Sequence, residues 1–483
     1  MHKNSCVAHV CLTLCLAAWV IHSDETWFWT GLLWLSLMGL ALGLLFPFAR
    51  KDESSEDARV RVCRNLARDP VVAAGLAATL FFVVQAANGG RALIYDPSTG
   101  QWTFSLPFWR WGPSSVVAAD AWRASTLACV FTCVCAMLRH AVGKPGKILL
   151  LQAMGLNAAV LSLWMLVRLA LQNGFGLYGL PQFLFAAQPE TVGAFYLLMV
   201  AISCGLAITA LIAKRPGGWM MLVVFLNFAG VCLSNNPQAI LAAWVFVGAS
   251  GLYIVKLTFP LLLTGQIAKI WSYGVIPFVL AGFVYFGHFP QNPVLRAVRA
   301  AGSWGTWLFG GASASSEAVA AAWRMVGDHP WVGVGAGGFK PFAPIYGLVE
   351  SLRDDGHVGQ DGVEYLCEHG LLGCGLVALA VGWIVVENMR RLALVPQVRS
   401  ESDAMPDRVW LFRLTPMAVV LSLGVAMVFV LSFSGPVFRS PFVSLSWCAA
   451  VTCLGSFLPM RRVIEYNQAL ISQDQRLPAS QAG

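Results

Sequence analysis

Charge is what this sequence has least of. Only 12% of its 483 residues are Asp, Glu, Lys or Arg, against roughly 25% in a soluble globular chain. The shortage excludes the row of water-soluble domains that the length alone would predict. The 13 cysteines include no CxxC pair and no Cys/His spacing of the zinc-binding kind, so neither a disulfide scaffold nor a zinc module is expected. Most of these thiols lie within apolar runs, where they act as small apolar groups. Cys129 and Cys133, one helical turn apart, read as packing residues, with metal ligation as the alternative. No repeat of roughly 20–50 residues is visible. Neither a metal nor a cofactor is expected.

What the chain has instead is apolar sequence, 57% of the whole, gathered into about twelve runs of near-membrane length. They begin with Val7–Ile21, include Tyr273–Phe286 as the ninth and Leu371–Val386 as the tenth, and end with Phe442–Leu458. Several are shorter than the roughly 20 residues of a span, and flanking Trp, Tyr and Phe extend them. No small-residue cleavage site follows Val7–Ile21, so this run reads as a retained first span and not as a secretory signal. The net charge is +8. Its distribution points away from a nucleic-acid partner and towards membrane lipids. Most of the 32 lysines and arginines fall in alternate loops, the bias that marks the cytoplasmic side. An even number of spans with both termini inside satisfies that alternation. Residues 1–286 then carry spans 1 to 9, 287–370 form one large outer loop, 371–460 carry spans 10 to 12, and 461–483 form a cytoplasmic tail.

Three segments fall between spans. Arg50–Pro70 is charged and reads as a solvated inner connector. Asn88–Ala121 concentrates Trp102, Phe104, Phe108, Trp109 and Trp111, which suits anchoring at headgroup level, with a binding surface as the alternative. The third, Gly287–Cys367, is long enough that a structureless connector is improbable. Within it, Pro293–Phe309 and Glu317–Val326 predict helices, Gly327–Pro330 a turn, and Gln360–His369 a helix leading into the tenth span. Between these lies Gly333-Val334-Gly335-Ala336-Gly337-Gly338, too rich in glycine for a helix.

This loop concentrates the candidate chemistry. Gly333, Gly335 and Gly338 let backbone N–H groups approach an anion, as phosphate-binding nests do; a tight structural turn is the other reading. The run lacks the Gly-Lys-Ser/Thr of a P-loop, and no strand–helix unit frames it as a dinucleotide fingerprint. His357 precedes a predicted helix start, where free N–H groups favour the neutral imidazole that a general base needs; a structurally bonded loop histidine is the alternative. Gln360 follows, and Asp361, Glu364 and Glu368 share one helical face. For Asp361 and Glu364 a solvated face is the alternative, whereas Glu368 lies near the membrane surface and needs a partner. Arg168 stands deep in an apolar run, either as a functional intramembrane charge or snorkelling to the headgroups.

Arg324–Phe339, containing His329-Pro330-Trp331-Val332-Gly333-Val334-Gly335, is similar to a run found in the O-antigen ligase/O-antigen polymerase (Wzy/ligase) superfamily. Gln360, Gly370 and Gly373 fit the spacing of that family's histidine motif, whose histidine position falls on Gly359, with His357 two residues earlier. Leu233-Ser234-Asn235-Asn236-Pro237 and Gln188-Pro189-Glu190 resemble two further family segments without their arginines, and a third family arginine falls on Ser315. The resemblance implies an all-α polytopic protein of the bacterial inner (cytoplasmic) membrane, with a large, partly helical periplasmic loop between spans 9 and 10. It implies metal-independent transfer of a glycan from undecaprenyl diphosphate to a lipid A core, glycan or protein acceptor. His357 would activate the acceptor, and the diphosphate would recruit Arg168, Arg296, Arg299, Arg324, Lys340 or Arg353, since guanidinium groups bond phosphate oxygens in pairs. A divergent member that binds lipid-linked glycan without transferring it, and a polysaccharide or lipid transporter, are the alternatives.

Overall fold

The computed structural model describes residues 5–20, 26–47, 54–90, 93–98, 101–173, 189–212, 218–234, 236–262, 316–347, 358–393 and 415–458. The predicted ninth span, the helix expected over Pro293–Phe309 and the tail 461–483 lie outside the described residues.

The structure is mostly helical. In chain order the helices are α1 (Ser5–Trp19), α2 (Thr26–Leu45), α3 (Ser55–Arg68), α4 (Pro70–Ala87), α5 (Ala118–Ala136, extended by a π turn over Met137–Ala141), α6 (Lys144–Asn173), α7 (Pro189–Ile212), α8 (Gly218–Leu233), α9 (Pro237–Leu262), α10 (Ser316–Asp328), α11 (Asp361–Ala393), α12 (Pro416–Leu431) and α13 (Pro441–Leu454). Among the described residues, six helices are long and apolar enough to cross a membrane, and five further apolar helices are shorter. The apolar runs that lie among the described residues thus fold as helices, which satisfy their backbone polar groups internally, as lipid requires.

The bundle is arranged around α7, which packs on α8 and α12. Its successive residues from Ala194 to Ile202 are all buried, as expected of a helix that is apolar all round. Small residues let neighbours close in. A Cβ on Gly424 of α12 would strike Ala201 of α7, and one on Gly75 of α4 would strike Thr132 of α5, the close packing that drives helix association in lipid. Asn227 of α8 donates to the Gly155 carbonyl of α6 at 3.1 Å and to the Ser203 hydroxyl of α7 at 2.9 Å.

Two inter-span segments carry more structure than their composition predicts. Arg50–Pro70 holds α3, a helix where a solvated connector was expected. Ala58 and Val62, four residues apart, are buried, and the Ser54 hydroxyl caps the helix by accepting from the Asp57 N–H at 3.1 Å. In the aromatic segment, Leu93–Asp96 pairs antiparallel with Gln101–Phe104, a short hairpin in an otherwise helical fold.

Asp69 joins three elements at one end of the bundle. It caps α4 through Val71 N–H at 3.0 Å, accepts from Arg139 Nε at 2.6 Å, and lies 2.6 Å from His140 Nε2. Burial disfavours its ionised form, but the His140 and Arg139 contacts and the Val71 N–H outweigh that penalty and hold its pKa at about 2.

Candidate functional site

The loop segments singled out by sequence come together at the opposite end of the bundle. The apolar residues of α10 recur at helical spacing, so Ala318, Ala321, Ala322 and Met325 line one buried face. They form a small apolar core with Val334, Phe339, Phe342, Ala343, Val358 and Cys367. Phe104, from the hairpin, packs against Phe342 with ring centroids 4.6 Å apart. The described part of the loop, 316–347 with 358–370, is therefore a folded cap with its own interior.

The cap is built into a break in α11. Gly370 has φ 61° and ψ −170°, which a residue with a Cβ adopts only with strain. A Cβ there would also strike the Trp331 backbone and the Gly333 nitrogen. The break frees carbonyls on one side and N–H groups on the other, and the Pro330–Gly335 stretch satisfies both. Val334 N–H donates to Cys367 O at 3.0 Å and Gly335 N–H to Glu368 O at 2.8 Å. Beyond the break, Leu371 N–H donates to Pro330 O at 2.8 Å and Leu372 N–H to Trp331 O at 3.0 Å. The glycine run and the Gly370-x-x-Gly373 segment are thus two halves of one unit.

The N–H groups of Gly333, Val334, Gly335, Ala336 and Gly338 are engaged within the protein. Gly333 donates to His329 O, Gly338 to Gly335 O, and Ala336 to Gln85 Oε1 at 3.3 Å. Gly337 and Phe339 present their N–H groups to the Glu368 carboxyl group. The run is a nest, and the group it encloses is the Glu368 carboxyl. Burial and the neighbouring Glu364 push that group's pKa up to about 8 against the opposing pull of Arg439 and the nest N–H groups, which favours its neutral form. Gly333, Gly335 and Gly338 hence act in building the cap. Ser115 fastens it to the start of α5 by donating to Ala336 O at 2.9 Å.

The acidic face is also engaged. Asp361 accepts from Phe438 N–H at 2.6 Å. Glu364, 6% exposed, accepts from Val358 N–H at 3.2 Å and pairs with Arg439. Both carboxylates bind structure where a solvated face was the alternative, and they tie the cap to the connector between α12 and α13. Gln360 begins the helix, its carbonyl accepting from Glu364 N–H at 3.0 Å.

The three candidate cations among the described residues, Arg168, Arg324 and Lys340, are not joined in one cluster with the cap's carboxylates. Arg324 and Lys340 are exposed and form no ion pair among the described residues. Arg168 is exposed on α6, 6.0 Å from the Trp164 ring, and α6 packs mainly on α1, α7 and α8. Arg296, Arg299, Arg353 and His357 lie outside the described residues. The neighbour of His357 is firmly placed, since Val358 is fully buried. Gly359, where the family histidine falls, has φ 79°.

Several residues at this site carried no sequence signal. Gln85, Ser115 and Arg439 are remote in sequence from the loop, and no local spacing marks them. His369 is 3% exposed, stacked edge-on against Phe82 at 4.8 Å and Tyr365 at 4.3 Å. Its Nδ1 has no hydrogen-bond partner among the described residues, but its enclosure keeps it from any large acceptor. No group of three or more His, Cys, Asp or Glu suited to a metal occurs among the described residues. No protein-family model matches this chain, and no curated protein matches it.

Proposed function

We propose that this chain is a glycosyltransferase of the O-antigen ligase or polymerase type, with about twelve spans, both termini in the cytoplasm of a bacterial cell and the cap in the periplasm. Its donor is a glycan on undecaprenyl diphosphate, and its acceptor a lipid A core, a glycan or a protein. His357 takes the proton from the acceptor hydroxyl as general base. The acceptor oxygen then attacks the anomeric carbon, and the bond to the diphosphate breaks with its electrons leaving on phosphate oxygen. Arginines of the loop, Arg296, Arg299 and Arg353 first among them, bind that diphosphate bidentately.

The observation that carries this reading is the cap locked into the break of α11. Both motifs that resemble the family meet in it, and its buried Val358 holds the chain one residue from His357. The glycines take no part in binding the diphosphate, because their N–H groups are engaged.

The test is reconstitution in liposomes with an undecaprenyl-diphosphate-linked glycan and a labelled acceptor. Wild type transfers label in the presence of a chelator, and His357→Ala does not. A specific observation favours the second reading, a member that binds without transfer: Gly359 stands at the family's histidine position with positive φ. Retention of the lipid-linked glycan by wild type with no transfer to any acceptor decides for it.

A further inference from the structure

At the end of the bundle opposite the cap, where α3 meets α4, a cavity of about 320 Å³ opens between the π turn of α5 and the last turns of α11. Its volume is at the lower end of the roughly 300–1,000 Å³ typical of ligand sites. Its floor is an ion network. Arg139 bridges Asp69 at 2.6 Å and Glu387 at 2.8 Å, His140 lies 2.6 Å from Asp69, and Arg391 pairs with Glu387 at 2.5 Å. Both carboxylates facing the cavity are therefore already neutralised.

Two further arginines of the wall have no such partner. Arg68, in the last turn of α3, and Arg390, near the end of α11, are exposed and form no ion pair or hydrogen bond among the described residues; Arg390 lies 5.9 Å from the Trp383 ring. The wall then turns apolar, with Trp383 and Val386 exposed along the apolar part of α11. Cations at the helix ends, followed along the span by exposed apolar side chains, match an amphiphile whose anionic head enters the cavity and whose chains lie along α11.

We propose that this cavity binds the head group of an anionic phospholipid. The phosphodiester bridges the guanidinium groups of Arg68 and Arg390, bidentate donors suited to phosphate oxygens. Asn65, also in the wall, offers an amide to the head-group hydroxyls. The acyl chains pack on Trp383 and Val386. Basic pockets between membrane helices hold anionic head groups in this way. The proposal rests on the apolar helices crossing a membrane and is independent of glycan transfer.

The test uses the full-length protein in detergent. Native mass spectrometry measures retention of phosphatidylglycerol against phosphatidylcholine, and thermal unfolding measures protection by each lipid and by inorganic phosphate. Wild type retains and is protected by phosphatidylglycerol in preference to phosphatidylcholine. Each of Arg68→Gln and Arg390→Gln weakens that preference roughly fivefold, the worth of one basic residue near an anionic surface, and the double variant abolishes it. Both side chains are exposed and form no ion pair or hydrogen bond among the described residues, so the variants keep the packing. The charge-matched pair Arg324→Gln and Lys340→Gln, at the other end of the bundle, retains the preference. Equal retention of the two lipids by wild type, or an unchanged preference in the double variant, overturns the proposal. Protection by inorganic phosphate equal to that by phosphatidylglycerol also overturns it, since the cavity then serves a free anion.

Discussion

Replacing Glu368 by alanine removes the carboxyl group that the glycine run encloses. Gly337 and Phe339 N–H groups lose their acceptor, and Phe339 is 1% exposed, so water reaches its N–H poorly. An unsatisfied buried donor costs about 1–3 kcal/mol, which sets the expected loss at about 2–6 kcal/mol for the pair. Glu368→Gln keeps one acceptor oxygen and sacrifices the other, so about half that loss is expected. Because the same run spans the break in α11, the loss is local to the cap before it is global. Thermal unfolding of the purified chain in detergent, followed by tryptophan fluorescence, reads the stability. Limited proteolysis across Ser316–Gly347 reads the opening of the cap. The expected order of stability is wild type, Glu368→Gln, Glu368→Ala, with cleavage rising in the same order. Arg324→Ala, exposed on the outer side of α10, changes stability by less than about 0.5 kcal/mol. Wild-type stability and proteolytic resistance in Glu368→Ala would refute the assignment of Glu368 as the acceptor held by the nest.

Three further outcomes follow from the same packing. Gly370→Ala places a Cβ against the Trp331 backbone at positive φ, and a loss of about 1–3 kcal/mol is expected, read as a fall in melting temperature with the helical circular dichroism retained. Gly424→Leu forces α12 away from Ala201 of α7 and lowers stability by about 1–3 kcal/mol, checked by thermal unfolding in detergent. Asp69, whose ordinary pKa of 3.8 is lowered to about 2, contributes about 2 kcal/mol to stability. The folded value lies below the unfolded one, so the contribution is complete above about pH 4 and is lost as pH falls towards 2. In Asp69→Asn that part of the acid sensitivity disappears from a pH series of unfolding midpoints.

Much of the helical bundle is written in the sequence as apolar runs, because lipid leaves few solutions other than helices for such segments. The helix expected over Glu317–Val326 occurs as Ser316–Asp328, since its alanines and Met325 recur at helical spacing. The amphipathic α3 is less visible, because a run so charged resembles a solvated linker until Ala58 and Val62 are seen four residues apart. The break at Gly370 has no local signature, as helical periodicity runs unbroken from Asp361 into the tenth span. It exists because Pro330–Gly335 supplies the partners that a broken helix lacks, a contact between segments more than thirty residues apart in sequence. The occupant of the glycine nest was equally hidden. Glycine spacing marks a place where N–H groups converge on an acceptor, but whether that acceptor is a ligand phosphate or the Glu368 carboxyl depends on how the two segments pack.

Glycan transfer at the cap is the central claim, and complementation in cells tests it most directly. A strain deleted for this chain loses surface polysaccharide, wild type restores it, and His357→Ala at equal membrane abundance does not. Full restoration by His357→Ala would remove His357 from the chemistry, and an unchanged surface polysaccharide in the deletion strain would contradict the transfer function itself.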